Sequence, residues 1–82
     1  MKTNDIKAGM HIMVRGQVGI MKDNKRGNSR LVELPCINGG TEMGSVYAFD
    51  ISHAWALGGK PEPVELTPKQ VEDKAAVRAM GF

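Results

Sequence analysis

The stretch GMHIMVRGQVGIM at residues 9–21 decides the fold class, together with three stretches that follow it. These are KDNKRGN at 22–28, SRLVEL at 29–34 and GSVYAFDI at 44–51. The apolar runs have the length of strands, are too short for helices, and are bounded by residues that begin turns. Runs this close together leave no room for a crossover helix, so the pattern predicts an antiparallel β meander, curled into a small barrel, over about residues 6–53.

Alternation of apolar residues places the first two strands. In the first, the apolar residues occupy every second position: Met10, Ile12 and Val14. Val18 and Ile20 alternate in the same way in the second strand. Gly16 supplies the positive backbone angle of a tight hairpin turn. Gly19 lies inside a strand, which predicts a bulge or a bend where the sheet curls.

The later strands are read from their ends. The third strand covers 31–34 and stops at Pro35, which cannot donate to a ladder. The fourth is predicted over 45–51, and a one-turn helix is predicted around Trp55. Three residues of the fourth strand are predicted to share a face: Tyr47, Phe49 and Ile51. Ile6, ahead of the first strand, is predicted to lie under the barrel.

The remaining residues differ in kind. Gly58 and Gly59 followed by KPEP at 60–63 predict an extended linker over 58–66. Thr67, Pro68 and Gln70 form the start of a helix with a capping box, which predicts a helix from 68 to 80. Its apolar stripe is thin and is expected to pack on the barrel or on a second copy of the chain: Val71, Ala75, Arg78 or Ala79, and Phe82. The alternative is a free helix that binds a partner. The predicted organisation is therefore a barrel domain at 1–57, the linker, and a packed helix at 67–82.

Composition limits the function classes. The 82 residues make one small domain, and 41% apolar with 24% charged residues is typical of a globular chain. No apolar run approaches the length of a membrane span and the polar start is not a signal peptide, so we expect a cytoplasmic protein without membrane contact. Cys36 is the only cysteine, which excludes an internal disulfide and favours a structural thiol.

Positive charge is concentrated in the turn between the second and third strands. Four cations fall within nine residues, opposed only by Asp23: Lys22, Lys25, Arg26 and Arg30. One interpretation is a solvated hairpin turn, in which such residues are common. The other is a loop that contacts phosphates or an acidic partner, with Arg15 as a further contributor.

Residue patterns for catalysis are missing from the sequence. Gly39 and Gly40 lack the Lys and Ser/Thr of a phosphate-binding loop. The candidate metal ligands lie on different elements without short-range spacing: His11, His53, Glu42 and Asp50. Asp50 is expected to cap a turn or pair with a cation. We therefore predict no enzyme activity, no metal and no cofactor.

Aromatic residues offer two candidates for a partner-binding hot spot, Tyr47 and Trp55. Phe49 is expected in the core, because so small a core needs a large ring. Trp55 either covers an open end of the barrel or contacts a partner. Exposed rings of this kind would also allow base stacking, if the chain binds a single-stranded nucleic acid.

The pattern Gly9-x4-Val14-x-Gly16-x-x-Gly19-Ile20, followed by a polar loop and Arg30-Leu31-Val32-Glu33, resembles the small Src-homology-3-like (SH3-like) barrels of the KOW type. Residues 6–53 are also similar in style to short bacteriophage and prophage proteins. The resemblance implies a small SH3-like barrel that binds protein or nucleic acid and does not catalyse. We predict a non-enzymatic module, such as a phage-type adaptor or inhibitor that binds a host or phage protein. The alternative is a barrel that binds DNA or RNA, and a homo-oligomer is left open.

Overall fold

A computed structural model describes residues 1–23 and 27–81. Six strands form one antiparallel sheet: β1 (His11–Val14), β2 (Gln17–Asp23), β3 (Ser29–Pro35), β4 (Thr41–Tyr47), β5 (Ile51–Trp55) and β6 (Glu62–Pro63). Short 3₁₀ turns cover Thr3–Asp5 and Ala48–Asp50, and helix α1 covers Pro68–Ala79. The predicted fold class, mainly β and antiparallel with one C-terminal helix, is confirmed.

The sheet has the order β4-β3-β2-β1-β5-β6, so the fifth strand returns beside the first. Within the described residues the hydrogen-bonded order does not close, and β4 and β6 are its two edges. Register shifts at Met13/Val14 and at Met21/Asp23 help the sheet to curl. Gly19 marks a close approach instead: a Cβ there would lie 2.8 Å from the Glu33 carbonyl oxygen.

The core lies on the concave face of this sheet. Its buried residues form one cluster: Ile6, Ile12, Val14, Met21, Val32, Val46, Ile51 and Ala54. The alternation in β1 therefore faces the core, and Ile6 is buried beneath the sheet as predicted. The alternation in β2 has the opposite phase, because Met21 is buried whereas Val18 is 44% exposed.

The predicted fourth strand is wrong in its bounds. The strand ends at Tyr47, and the 3₁₀ turn Ala48–Asp50 interrupts the run. Ile51 then begins β5, where it pairs with Val14. Tyr47 and Ile51 consequently belong to different strands and do not share the face of one. Trp55, predicted in a one-turn helix, is the last residue of β5.

Helix α1 begins as predicted, with a reciprocal capping box. The Gln70 amide donates to the Thr67 hydroxyl at 3.2 Å, and the Thr67 amide donates to Gln70 Oε1 at 2.9 Å. The predicted packing of the apolar stripe on the barrel is not observed, because no residue of α1 is buried and Val71 is 56% exposed. Packing of this stripe on a second copy of the chain stays a prediction. Phe82, the last residue of that stripe, lies outside the described residues.

Polar side chains attach α1 to the two 3₁₀ turns and to the β2–β3 connection. Gln70 Nε2 donates to the Thr3 hydroxyl at 2.8 Å, and Asn28 Nδ2 donates to Asp73 Oδ2 at 3.2 Å. Arg78 forms an ion pair with Asp50, whose side chain is 5% exposed. These contacts recur along one side of the helix, so hydrogen bonds replace the expected apolar contact. Among the described residues, no helix has the length and apolar character needed to cross a membrane.

The segment 58–66 joins the sheet. Its Glu62 and Pro63 pair with Ala54 and His53 of β5. Val64, just beyond, donates from its amide to the Ser52 carbonyl at 2.9 Å and packs against the core. The glycine and proline content therefore coexists with ordered pairing along β5.

Candidate protein-interaction site

A row of side chains crosses five strands on the convex side of the sheet, away from the core. Each member is the register partner of the next, and residues directly opposite in an antiparallel pair share a face. We call this set the outer row: Trp55 of β5, His11 of β1, Ile20 of β2, Glu33 of β3 and Met43 of β4. Four of its five side chains are aromatic or apolar.

A second row extends the same surface. His53, Met13 and Val18 are register partners across β5, β1 and β2. Val18 is 44% exposed, and Met43 of the outer row is 51% exposed. The solvent face of an antiparallel sheet is ordinarily polar, so an apolar convex face is the feature that requires an explanation. We call the two rows together the outer face.

Trp55 is held in place on this face by His11. The two rings stack with centroids 5.6 Å apart and planes 15° apart. The His11 Nδ1 atom is buried, without a hydrogen-bond partner among the described residues. Because the indole already rests on a neighbouring ring, it can receive a ligand with little loss of side-chain entropy.

Tyr47, the other predicted hot-spot residue, lies elsewhere. Its ring stacks on Phe49, with centroids 4.8 Å apart and planes 10° apart. Phe49 is 2% exposed, so its predicted place in the interior is confirmed. Tyr47 is four residues along β4 from Met43, about 13 Å in an extended strand. Tyr47 and Trp55 thus stack on different residues, and three strands separate β4 from β5 in the sheet order.

Arg15 lies beside Tyr47 instead. Arg15 and Gly16 form the two-residue turn between β1 and β2, with positive φ angles of 50° and 78°. The two predicted site residues line one shallow groove with neighbours from β3 and β4: Ser29, Ser45 and Val46. The β1–β2 turn thus brings a guanidinium close to the end of β4.

Arg30 is not part of an exposed positive loop, contrary to expectation. It is 2% exposed, on the same face as Val32. Its Nη1 donates to the carbonyls of Gly27 and Ser29 at 2.8 Å each, and its Nη2 donates to Asn4 Oδ1 at 3.2 Å. Burial lowers the pKa of the Arg30 guanidinium, because desolvation disfavours its charged form. Arg30 thus links the β2–β3 connection to the N-terminal 3₁₀ turn.

Of the other predicted cations in this loop, the structure describes Lys22. Lys22 lies on β2, where its Nζ atom is 3.9 Å from Glu33 Oε2. Lys25 and Arg26 lie outside the described residues. Within the described part, the predicted cluster is therefore reduced to a paired Lys22 and a buried Arg30, while Arg15 lies at the β1–β2 turn.

The candidate nucleophile and the candidate metal ligands do not form a catalytic or metal-binding cluster among the described residues. Partial burial and the Glu42 carboxylate raise the pKa of the Cys36 thiol, which disfavours its reactive thiolate form. His53 Nδ1 is 3.0 Å from the Ser52 hydroxyl, and Asp50 pairs with Arg78 as the sequence suggested. Across residues 1–23 and 27–81, no three His, Cys, Asp or Glu side chains lie close enough to hold a metal ion.

Of the outer face, the sequence analysis singled out only Trp55 as a candidate partner-binding residue. The available signal was the phase of β2, where Val18 and Ile20 flank a glycine that touches the next strand. Met13, which interrupts the alternation of β1, was a second signal. Both become informative only when the register between strands is known. Comparison of the chain with protein-family models, curated proteins and solved structures gives no match.

Proposed function

We propose that this chain is a small non-enzymatic module that binds a protein partner through its outer face. The observation that supports this most directly is the continuous outer row, in which Trp55 rests on His11 and exposed Met43 ends the line. Tryptophan anchors surrounded by apolar contacts are typical of binding hot spots in protein interfaces. The partner that fits presents apolar side chains to a convex, preformed surface.

The fold is compatible with this role. A curled antiparallel sheet, with β5 beside β1, suits the small SH3-like barrel of the KOW type that the sequence resembles. The similarity in style of residues 6–53 to short phage proteins is the basis for proposing a host protein complex as the partner, and an adaptor or an inhibitor as the role. Fold alone does not decide function, so the proposal depends on the outer face.

Nucleic-acid binding is the second candidate, and one observation favours it. Arg15 and Tyr47 line the same groove as the hydroxyls of Ser29 and Ser45, which is a suitable set for a phosphate and a base. The burial of Arg30 and the Lys22–Glu33 pair weigh against nucleic-acid binding, because both reduce the positive charge that could contact phosphates. We therefore rank it below protein binding.

A matched pair of substitutions tests the outer face. Val18→Asp places a charge on the outer face, whereas Val71→Asp changes the same residue type at similar exposure on α1. Immobilised wild-type chain is used to capture proteins from a bacterial lysate, and captured species are identified and then measured with purified chains. We expect Val18→Asp to weaken the purified interaction about tenfold or more, and Val71→Asp to leave it unchanged.

Two further conditions separate the candidates. Protein capture through apolar contacts survives nuclease treatment and raised salt, whereas capture through phosphates is lost under both. Binding that is insensitive to Val18→Asp, or that disappears with nuclease, would refute the proposal. Loss of binding with Arg15→Gln alone would favour the nucleic-acid candidate. Circular dichroism of each variant establishes that the sheet is intact.

A further inference from the structure

Strand β4 leaves one long side of the sheet without a neighbour among the described residues. We call this side, over Thr41–Tyr47, the β4 edge. Its register with β3 is continuous, without the bulges seen in the β1–β5 and β2–β3 pairs. It contains no proline, lysine or arginine, and its one charged residue is Glu42. Such an edge is a template for a further strand, since it lacks the lysine, the proline, the bulge and the short length that protect many edges.

The direction of its backbone groups follows from the ladder with β3. The Ala48 amide donates to the Asn28 carbonyl at 2.7 Å, and the Cys36 amide donates to the Gly40 carbonyl at 2.8 Å. Both bonds extend the register of the β3–β4 pair, and hydrogen-bonded positions alternate along an antiparallel ladder. Even-numbered residues of β4 therefore bond to β3. The residues whose N–H and C=O groups point toward the β4 edge are Thr41, Met43, Ser45 and Tyr47.

We propose that the β4 edge binds the β4 edge of a second copy of this chain, antiparallel and about a two-fold axis through Gly44. In this register Met43 pairs with Ser45 of the second copy and Thr41 pairs with Tyr47, so the outward groups of both strands meet. Gly44 faces Gly44 at a non-hydrogen-bonded position, where the strands approach most closely. Glycine has no side chain to obstruct that approach.

Charge complementarity favours the second copy over an unrelated peptide. The same register places Glu42 opposite Val46 of the other copy, and Val46 lines the groove that contains Arg15. The carboxylate at one end of the edge is thereby brought to the guanidinium at the other end. The two-fold axis repeats this contact, so each copy donates one charge of each sign. The edge is self-complementary in both hydrogen bonding and charge.

The size of the contact limits its strength. One pair of seven-residue strands lies at the small end of protein interfaces, so we expect a dimer with a micromolar Kd. The outer face of each copy lies on the convex side of the extended sheet. Dimerisation therefore aligns two outer faces and leaves Val18 of both exposed to a partner.

Sedimentation equilibrium of the full chain tests the edge directly. The wild-type apparent mass should rise with concentration from that of one chain toward that of two. Ser45→Pro removes an N–H that points away from β3, so the β3–β4 ladder persists and the variant should remain at the mass of one chain. Ser45→Thr retains the donor and should associate like the wild type.

A charge exchange tests the register and does not depend on proline being tolerated. Glu42→Arg alone brings like charges together at both symmetric contacts and should raise the Kd about tenfold. Adding Arg15→Glu should restore the Kd to within about threefold of the wild-type value. Thermal unfolding of all variants distinguishes lost association from lost folding.

Three results would overturn the proposal. They are a wild-type chain that keeps the mass of one chain at millimolar concentration, a Ser45→Pro variant that still dimerises, and a double exchange that restores nothing. A monomeric wild type would leave the edge to an extended peptide of another protein. Val18→Asp should dimerise normally, so failure of this proposal and failure of the proposed function are separable.

Discussion

The two edges of the sheet differ in length, composition and cover. β4 offers seven residues and no proline, whereas β6 is a two-residue strand that ends in Pro63. The chain beyond β6 is itself bonded, because the Glu65 amide donates to the Met1 carbonyl at 2.7 Å. Short strands, proline and covering segments are the usual means of blocking further strand addition. One edge is thus protected by several devices, and the other by none of them.

The difference makes β4 the edge at which a further strand can add more readily. An edge that only had to avoid association would carry a lysine, a bulge or a proline, as β6 does. The β4 edge instead carries Gly44 at its centre and charges of opposite sign near its ends, Glu42 on the strand and Arg15 beside it. Three further substitutions, at Phe49, Gly19 and Glu42, test the cooperativity of the sheet, the close approach of β2 to β3, and the effect of Glu42 on the pKa of Cys36.

The largest effect is expected at Phe49, in the 3₁₀ turn that carries the chain from β4 to β5. Phe49→Ala removes a ring that is 2% exposed and stacked on Tyr47, and should lower the free energy of unfolding by about 3–5 kcal/mol. Urea denaturation measures the change. Ile37→Ala, at a fully exposed position in the β3–β4 turn, is the control and should unfold like the wild type.

The same experiment asks whether both edges belong to one cooperative unit. If they do, tryptophan fluorescence from Trp55 on β5 and circular dichroism of the whole sheet give coincident transitions. Two separate transitions in the Phe49→Ala protein would mean that the edges unfold independently.

An intermediate effect is expected at Gly19, a residue of β2 that lies against Glu33 and Leu34 of β3. Gly19→Ala would set a Cβ 2.8 Å from the Glu33 carbonyl oxygen and 2.7 Å from a Leu34 methyl group. Separation of β2 from β3 should lower the free energy of unfolding by about 1–3 kcal/mol. Hydrogen exchange should accelerate more in β3 and β4 than in β5.

Gly40→Ala is the matched control for this glycine. Its Cβ would meet nothing closer than Asn38 Oδ1 at 3.5 Å, an ordinary contact. Equal destabilisation by both variants would show that loss of glycine, and not the close approach of β2 to β3, causes the effect.

The smallest effect is expected at Glu42, the acidic residue of the β4 edge, and it concerns the reactivity of Cys36. The Glu42 carboxylate contributes to raising the pKa of the Cys36 thiol, after partial burial. Glu42→Gln should therefore lower that pKa, increase the thiolate fraction at mildly alkaline pH, and speed alkylation by iodoacetamide a few-fold. Glu62→Gln removes the acid of the β6 edge and should leave the rate unchanged. An unchanged rate in Glu42→Gln would contradict the assigned cause.

The direction of the pH effect on stability follows from the same shift. Because the folded-state pKa of Cys36 lies above its unfolded value, the folded protein retains the thiol proton over a range where the unfolded chain has lost it. The stabilisation is complete below the unfolded pKa and is lost as the pH rises through the folded pKa. Glu42→Gln should make this alkaline loss smaller.

Local patterns predicted the parts of the fold that depend on nearby residues. The alternation of Ile12 and Val14 located β1, and the capping box at Thr67 and Gln70 located the start of α1 within the chain. Pro35 ended β3 near its predicted end. These features depend on backbone geometry and on hydrogen bonds within a few residues, so they can be predicted before any tertiary contact is known.

The errors share one cause, which is that a partner from a distant part of the chain changed the outcome. The sequence predicts an exposed Arg30, yet Asn4, 26 residues away, accepts a hydrogen bond from its guanidinium at a buried site. The sequence predicts one strand through Phe49, yet pairing of Ile51 with Val14 begins a new strand. The sequence predicts that α1 packs through an apolar stripe, yet Thr3 and Asp50 hold the helix by polar contacts.

By itself, then, the sequence determined an antiparallel β fold, the place of the helix and a chain without a recognisable catalytic pattern, because short-range periodicity and turn chemistry specify these directly. Only the tertiary structure decided which face of β2 is exposed, which cation is buried and which strand is left at an edge. Register supplies these answers, since a shift of one residue exchanges the two faces of a strand. The outer face and the β4 edge, on which both proposals depend, are products of that register.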